Sequence, residues 1–265
     1  MAVQLDGARV LLTGATGGVG QAIARRLSSE GAQLVVTGRR SDALRALADE
    51  LGGQAIVVDL AHREEVERLL AGAGEIDLLV ANAALPGSGR LATLERDHVD
   101  RAIEVNLRAP IALAHGVLPS MLQRGHGHLV FIGSLSGKAP NGGASVYSAT
   151  KFGLRGFALA LRAELAPAGI GVSLVAPGFV SDAGMFADTK IRLPWGLTTR
   201  TPEEVAGAVV RAIVENRGEI NVAALTMRVG ADIANLAPGL AARAGRLIGA
   251  DRLALRFEER QADKR

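Results

Sequence analysis

The chain contains no cysteine. Disulfides, thiol nucleophiles and Cys-ligated zinc or iron–sulfur centres are excluded by that fact. Aromatics are scarce as well, with one Trp, one Tyr and six Phe in 265 residues. Base stacking on aromatic platforms has little to work with, and no nucleic-acid partner is expected. An excess of one charge is also missing: 30 Lys and Arg stand against 27 Asp and Glu, a net of +3. The sequence pI of about 9.8 therefore reflects a preference for Arg over Lys, not a basic stripe. Long apolar runs are lacking too. The uncharged stretch 165–181 is interrupted by Pro167, Pro177 and several glycines, and makes a poor transmembrane helix. Residues 1–9 carry no charged segment followed by an apolar one, so no signal peptide is read and the expected location is the cytoplasm. No third ligand stands near His126 and His128, and no metal site is expected.

Glycine is plentiful, at 33 residues, and 48% of the chain is hydrophobic. A chain of this length and balance buries a sizeable core and is neither disordered nor a small stapled scaffold. Short Val/Leu/Ile runs alternate with helical patterns. Strands are predicted at 9–13, 33–37, 54–58, 77–81, 127–132, 171–176 and 219–222. Helices are predicted from the glycine-rich turn to about Glu30, from Ser41 as N-cap, over 62–71, over 94–123 with a break before Pro110, over 146–166 and over 202–215. Continuously apolar strands spaced by helices indicate a parallel sheet covered on both faces, a doubly wound Rossmann-type α/β fold. Residues 1–222 form the expected nucleotide-binding and catalytic domain, with 223–265 as its helical C-terminal extension.

The first strand runs into Thr13-Gly14-Ala15-Thr16-Gly17-Gly18-Val19-Gly20, and a helix follows. Gly14 and Gly18 allow tight turning and close approach, while Gly20 lets the helix pack near the strand. The helix N-terminus then presents free N–H groups to a pyrophosphate. At the end of the second strand an NAD site usually carries an acid for the ribose 2′-hydroxyl. Gly38 stands there, followed by Arg39 and Arg40, and guanidinium groups favour a 2′-phosphate. The expected cofactor is NADP(H). Asp59, with Leu60 after the third strand, is a candidate for the adenine amino group or a cap for the next helix.

Tyr147 and Lys151 lie four apart on a predicted helix and so share a face. A nearby ammonium stabilises a phenolate, so Lys151 is expected to lower the Tyr147 pKa and make it a proton shuttle. Ser134, just past the fifth strand, has a hydroxyl able to bond the same substrate oxygen. The Asn106 amide is a candidate to hold a water in a relay to Lys151.

These motifs, with Asn82-Ala83 after the fourth strand and Pro177-Gly178, resemble the short-chain dehydrogenase/reductase family over about residues 5–222. The resemblance implies a tetrad of Asn106, Ser134, Tyr147 and Lys151, with Lys151 also on the nicotinamide ribose. It implies that Pro177, Gly178 and Val180 pass along the nicotinamide, and that the protein is a homodimer or homotetramer. Two positions depart from the family pattern. Ala84 replaces a customary Gly, and Asp182 stands where a Thr commonly contacts the cofactor.

The segment 181–200 is long for a compact domain and reads as a cover over the substrate. Its Met185, Phe186 and Trp195, with Ser136, are candidate substrate contacts and suggest an apolar or bulky carbonyl or alcohol. For the C-terminal extension three uses compete: a wall of the site, a subunit interface, or membrane-surface contact through Arg243, Arg246, Arg252 and Arg256. The expected activity is NADP(H)-dependent interconversion of a ketone or aldehyde with an alcohol. The alternatives are a catalytically silent dinucleotide sensor, and an enoyl reductase or epimerase on the same scaffold.

Overall fold

The computed structural model describes residues 3–182 and 197–239. Seven parallel strands form one sheet in the order β3-β2-β1-β4-β5-β6-β7. They are β1 (Arg9–Thr13), β2 (Gln33–Gly38), β3 (Gln54–Val57), β4 (Leu78–Ala81), β5 (His128–Ile132), β6 (Gly171–Pro177) and β7 (Glu219–Val222). All seven predicted strands are present, each within a residue of its expected bounds. The helices are α1 (Gly18–Ser29), α2 (Ser41–Leu51), α3 (Arg63–Ala73), α4 (Arg96–Ile103), α5 (Ala109–Arg124), α6 (Ser145–Leu165), α7 (Pro202–Val214) and α8 (Leu225–Leu236).

Alternation along each strand sends side chains to two cores, as a sheet covered on both faces requires. Val10 and Leu12 pack with Ile23, Leu27, Val205 and Val209 beneath α1 and α7. Leu11 joins Leu69, Leu113, Phe131 and Leu154 on the opposite face, under α3, α5 and α6. Phe131 meets Phe157 edge to face, with centroids 5.6 Å apart. Strand order reverses between β1 and β4, so a crevice opens at the carboxyl ends of those two strands.

Two local expectations are corrected. Ser41 is the first residue of α2 rather than its cap, which is Arg40. No break precedes Pro110. Instead α4 passes into a wider π-helical turn, Glu104–Arg108, and on into α5. Pro110 closely follows the π-helical turn, whose wider hydrogen-bond pattern takes up the missing N–H. Among the described residues no helix is long and apolar enough to cross a membrane.

Candidate active site

The glycine loop closes by backbone contacts that leave little room. Gly14 has φ +65°, and a Cβ there would lie 2.8 Å from Ala83 Cα. A Cβ on Gly20 would lie 2.2 Å from the Gly14 oxygen, so only glycine lets α1 start this close to β1. Gly17 caps α1 without a side-chain bond, and no acidic residue stands in its first turn. The helix dipole and the first N–H groups are thus left for an anion beside Gly18 and Val19. Asn82 ties the two sides of the crevice together: its Nδ2 donates to the carbonyls of Thr13 (3.0 Å) and Gly14 (3.2 Å). Thr13 Oγ1 in turn accepts from the Asn82 and Ala83 N–H groups at 3.0 Å. Ala84, where the family pattern has Gly, is not among the positive-φ residues, so that turn makes no demand for glycine.

At the end of β2, a Cβ on Gly38 would approach Thr16 Oγ1 at 3.2 Å. The Arg40 guanidinium donates to the Thr16 carbonyl and so lies against the glycine loop. Asp59 accepts from the Ala61 N–H (3.1 Å) and from Arg101 (2.5 Å). Those bonds hold its carboxyl below the usual range although partial burial pushes the other way. Leu60 beside it is buried.

Ser134, Tyr147 and Lys151 meet past the carboxyl end of β5. Ser134 Oγ accepts from the Ser136 N–H at 3.1 Å and opens the helical turn Leu135–Gly137. Its hydroxyl lies near enough to the Tyr147 phenol to pull that group's pKa down. Accepting from Ser136 uses one of the two Oγ lone pairs and leaves the Ser134 hydroxyl proton available to donate. Lys151 is 2% exposed, and its Nζ donates to the Ile132 carbonyl at 2.9 Å. The same ammonium lies 5.6 Å from the centroid of the Tyr147 ring.

The expected direction of the tyrosine shift is corrected here. Burial pushes the phenol up to about 12, against a smaller downward pull from Ser134. Burial also brings Lys151 down to about 8. The ammonium faces the ring and a carbonyl rather than the hydroxyl, so loss of hydration outweighs its field at the phenol oxygen.

Asn106 is buried in the π-helical turn, and its amide brackets Leu85. Oδ1 accepts from the Leu85 N–H at 2.7 Å, while Nδ2 donates to the Leu85 carbonyl at 2.9 Å. The side chain therefore holds the loop after β4, with a weak 3.5 Å contact to Thr150 Oγ1. A turn of π-helix re-aims one residue, and such turns recur at functional sites.

Pro177 ends β6, and the Gly178 N–H donates to the Val222 carbonyl at 3.0 Å. Val180 is buried and bridged to Arg200. Asp182 takes a left-handed backbone, φ 63°, is exposed, and accepts from Ser181 Oγ at 2.7 Å. Met185, Phe186 and Trp195 lie outside the described residues, as do Arg243, Arg246, Arg252 and Arg256. Ser136 lies one turn from Ser134 and is approached by Asn141 Nδ2 at 3.4 Å. Of the three uses named for the extension, a wall of the site is the one its first residues fit: Ala223 and Ala231 cluster with Leu135, Met227 and Ala139, residues that were not singled out individually. A Cβ on Gly178 would touch Ala223, Met227 and Leu135, so α8 stands against the strand end that leads to Val180.

A family profile described as short chain dehydrogenase matches residues 8–192. A ketoacyl reductase, HetN, from Nostoc sp. is 38% identical over 227 residues, which is 82% of this chain and 79% of that protein. Dehydrogenase/reductase SDR family member 7B from Xenopus laevis is 34% identical over 259 residues, covering 89% of this chain and 80% of that one. Among solved structures, an actinorhodin polyketide ketoreductase with NADPH superposes with a TM-score of 0.74 at 33% identity, covering 84% of this chain and 98% of that chain. A short chain dehydrogenase/reductase family protein superposes with a TM-score of 0.77 at 28% identity, covering 83% and 97%.

Proposed function

Because the chain belongs to the short-chain dehydrogenase family, we propose that it interconverts a ketone or aldehyde with an alcohol using NADP(H). The observation that carries this reading is the convergence of Ser134, Tyr147 and Lys151 beside an uncapped helix N-terminus. The uncapped N–H groups of α1 and the close approach at Gly14 and Gly20 fit a pyrophosphate. Arg40 on the loop, exposed Arg39, and Gly38 in place of an acid fit a 2′-phosphate. The related ketoreductase solved with NADPH is consistent with this choice. Asp59, Leu60, Asn82, Ala83, Pro177, Gly178 and Val180 complete the proposed cofactor contacts.

When bound, the nicotinamide supplies or accepts the hydride. The protein supplies position and a proton. With its pKa near 12, the Tyr147 phenol is protonated at neutral pH and is a donor in waiting for a carbonyl oxygen. Ser134 carries a second hydroxyl to the same place. As the proton leaves the phenol, negative charge develops on the ring 5.6 Å from the Lys151 ammonium, whose field favours the phenolate at that range, and in the oxidative direction Tyr147 takes the proton back. Asn106 contributes by holding the loop at Leu85.

The wall of Leu135, Ala223 and Met227 supports an apolar or bulky substrate, with Ser136, Met185, Phe186 and Trp195 as its proposed contacts. Phe152 and Leu159 remain 37% and 38% exposed on α6 and support a homodimer or homotetramer. The extension 223–265 is proposed as part of the same domain. The deciding experiment titrates the protein with NADPH and NADH, then offers a panel of ketones, aldehydes and alcohols. Tight NADPH binding with turnover abolished in Tyr147→Phe is the expected result. Binding without turnover on any substrate would favour a sensor, and tighter NADH binding would overturn the assignment of Arg39 and Arg40.

A further inference from the structure

The two catalytic elements are joined through a carboxylate distant from both in sequence. Ser134, Gly137, Lys138 and Ala139 belong to one tight turn, since the Gly137 N–H donates to the Ser134 carbonyl and the Lys138 and Ala139 N–H groups to Leu135, all at 2.9 Å. Whatever holds Lys138 therefore holds Ser134. Lys138 is 6% exposed, and its Nζ reaches Glu219 Oε1 at 2.7 Å and Asp232 Oδ1 at 3.1 Å. The other Glu219 oxygen, Oε2, accepts from Arg155 Nη2 at 3.2 Å. Arg155 stands on α6 one turn beyond Lys151 and two beyond Tyr147, and its Nη1 also approaches Asn235 of α8 at 3.5 Å. The Ser134 turn touches α6 directly as well, because a Cβ on Gly137 would lie 2.7 Å from the Lys151 carbonyl.

We propose that Glu219 is a positioning residue: bridging Lys138 and Arg155, it sets the approach of Ser134 to Tyr147 and keeps α8 against the site through Asp232 and Asn235. A neutral amide at this place would leave two little-exposed cations sharing a weaker acceptor, and the Ser134 turn free to drift from α6. Proton transfer and orientation respond steeply to such shifts, so small displacements are expressed in kcat. The inference rests on the catalytic reading of Ser134 and Tyr147 given above.

The test uses the full chain and its single tyrosine. Tyrosine labelled with carbon-13 at Cζ gives one resonance, and that resonance reports the hydrogen bonding of the Tyr147 phenol at neutral pH without substrate. Glu219→Gln is expected to move the resonance in the direction produced by Ser134→Ala. A resonance at the wild-type position in Glu219→Gln, with a shift in Ser134→Ala, overturns the proposal. No shift in either variant overturns it too, by removing the contact on which it stands. In turnover, Glu219→Gln is expected to lower kcat by about 10- to 100-fold with the NADPH Kd unchanged. Unchanged kcat with an active wild type counts against positioning. A wild type inert on every carbonyl counts against the reductase reading alone, because the resonance still decides the role of Glu219.

Discussion

Lys151→Met should give a more stable and inactive protein at neutral pH. The Lys151 ammonium is 2% exposed, and burial lowers its pKa from 10.5 to about 8. At ~1.4 kcal/mol per unit, keeping this charge in the folded state costs about 3 kcal/mol at pH 7. The amine also donates to the Ile132 carbonyl at 2.9 Å. Losing that bond costs the variant about 1 kcal/mol, so its net gain at pH 7 is about 2 kcal/mol. The sign follows from proton binding. Between pH 8 and 10.5 the unfolded chain keeps the lysine proton while the folded chain gives it up, so wild-type stability rises with pH across that window. Tyr147, with its pKa raised from 10.0 to about 12, begins to withdraw stability near pH 10, but it is present in both proteins and largely cancels in their difference. The advantage of the variant should therefore shrink above pH 8 and reverse by about pH 10.5, when the wild-type amine is neutral and still bonded. Urea unfolding of both proteins at intervals from pH 6.5 to 10.5 measures this directly. A variant less stable than wild type at pH 7, or a difference independent of pH, would refute the reasoning. It would mean that the buried ammonium is already compensated in the folded state.

The remaining predictions concern the cofactor site and the core. Arg40→Ala should weaken NADPH binding by about 10- to 100-fold, the worth of a charge-assisted contact, and leave NADH nearly unchanged; fluorescence titration with each nucleotide checks this. Gly20→Ala would bring a methyl within 2.2 Å of the Gly14 oxygen, so both nucleotides should bind at least about tenfold more weakly in the same titration. His128 is buried, bonds Ser173 Oγ at 2.8 Å and has its pKa lowered to about 4. The unfolded chain takes up that proton from pH 6.5 downward, so stability should fall by about 3 kcal/mol as pH drops towards 4. His128→Gln should flatten this dependence in urea midpoints measured at pH 7.5 and 4.5.

Strands β1 to β7 were legible because burial on both faces leaves unbroken Val/Leu/Ile runs, and glycine punctuation is local. The glycine loop, Tyr147 with Lys151, and Ser134 were legible for a related reason. Their placement depends on spacing along the chain, and a four-residue interval on a helix already places two groups on one face. Asn106 was legible as a residue, but its hold on the loop at Leu85 was not. A π-helical turn has no apolar period to betray it, and its amide is committed to Leu85, 21 residues away. The tyrosine shift was misjudged because sequence shows a neighbouring cation but not the loss of water around the phenol. Lys138 and Asp232 are separated by 94 residues, and each taken alone is an ordinary surface charge. Only the parallel pairing of β6 with β7, and the packing of α8 beside the Ser134 turn, bring them together. Periodicity and spacing are local properties and can be read along the chain. Desolvation and the meeting of distant charges arise only when the sheet has been assembled.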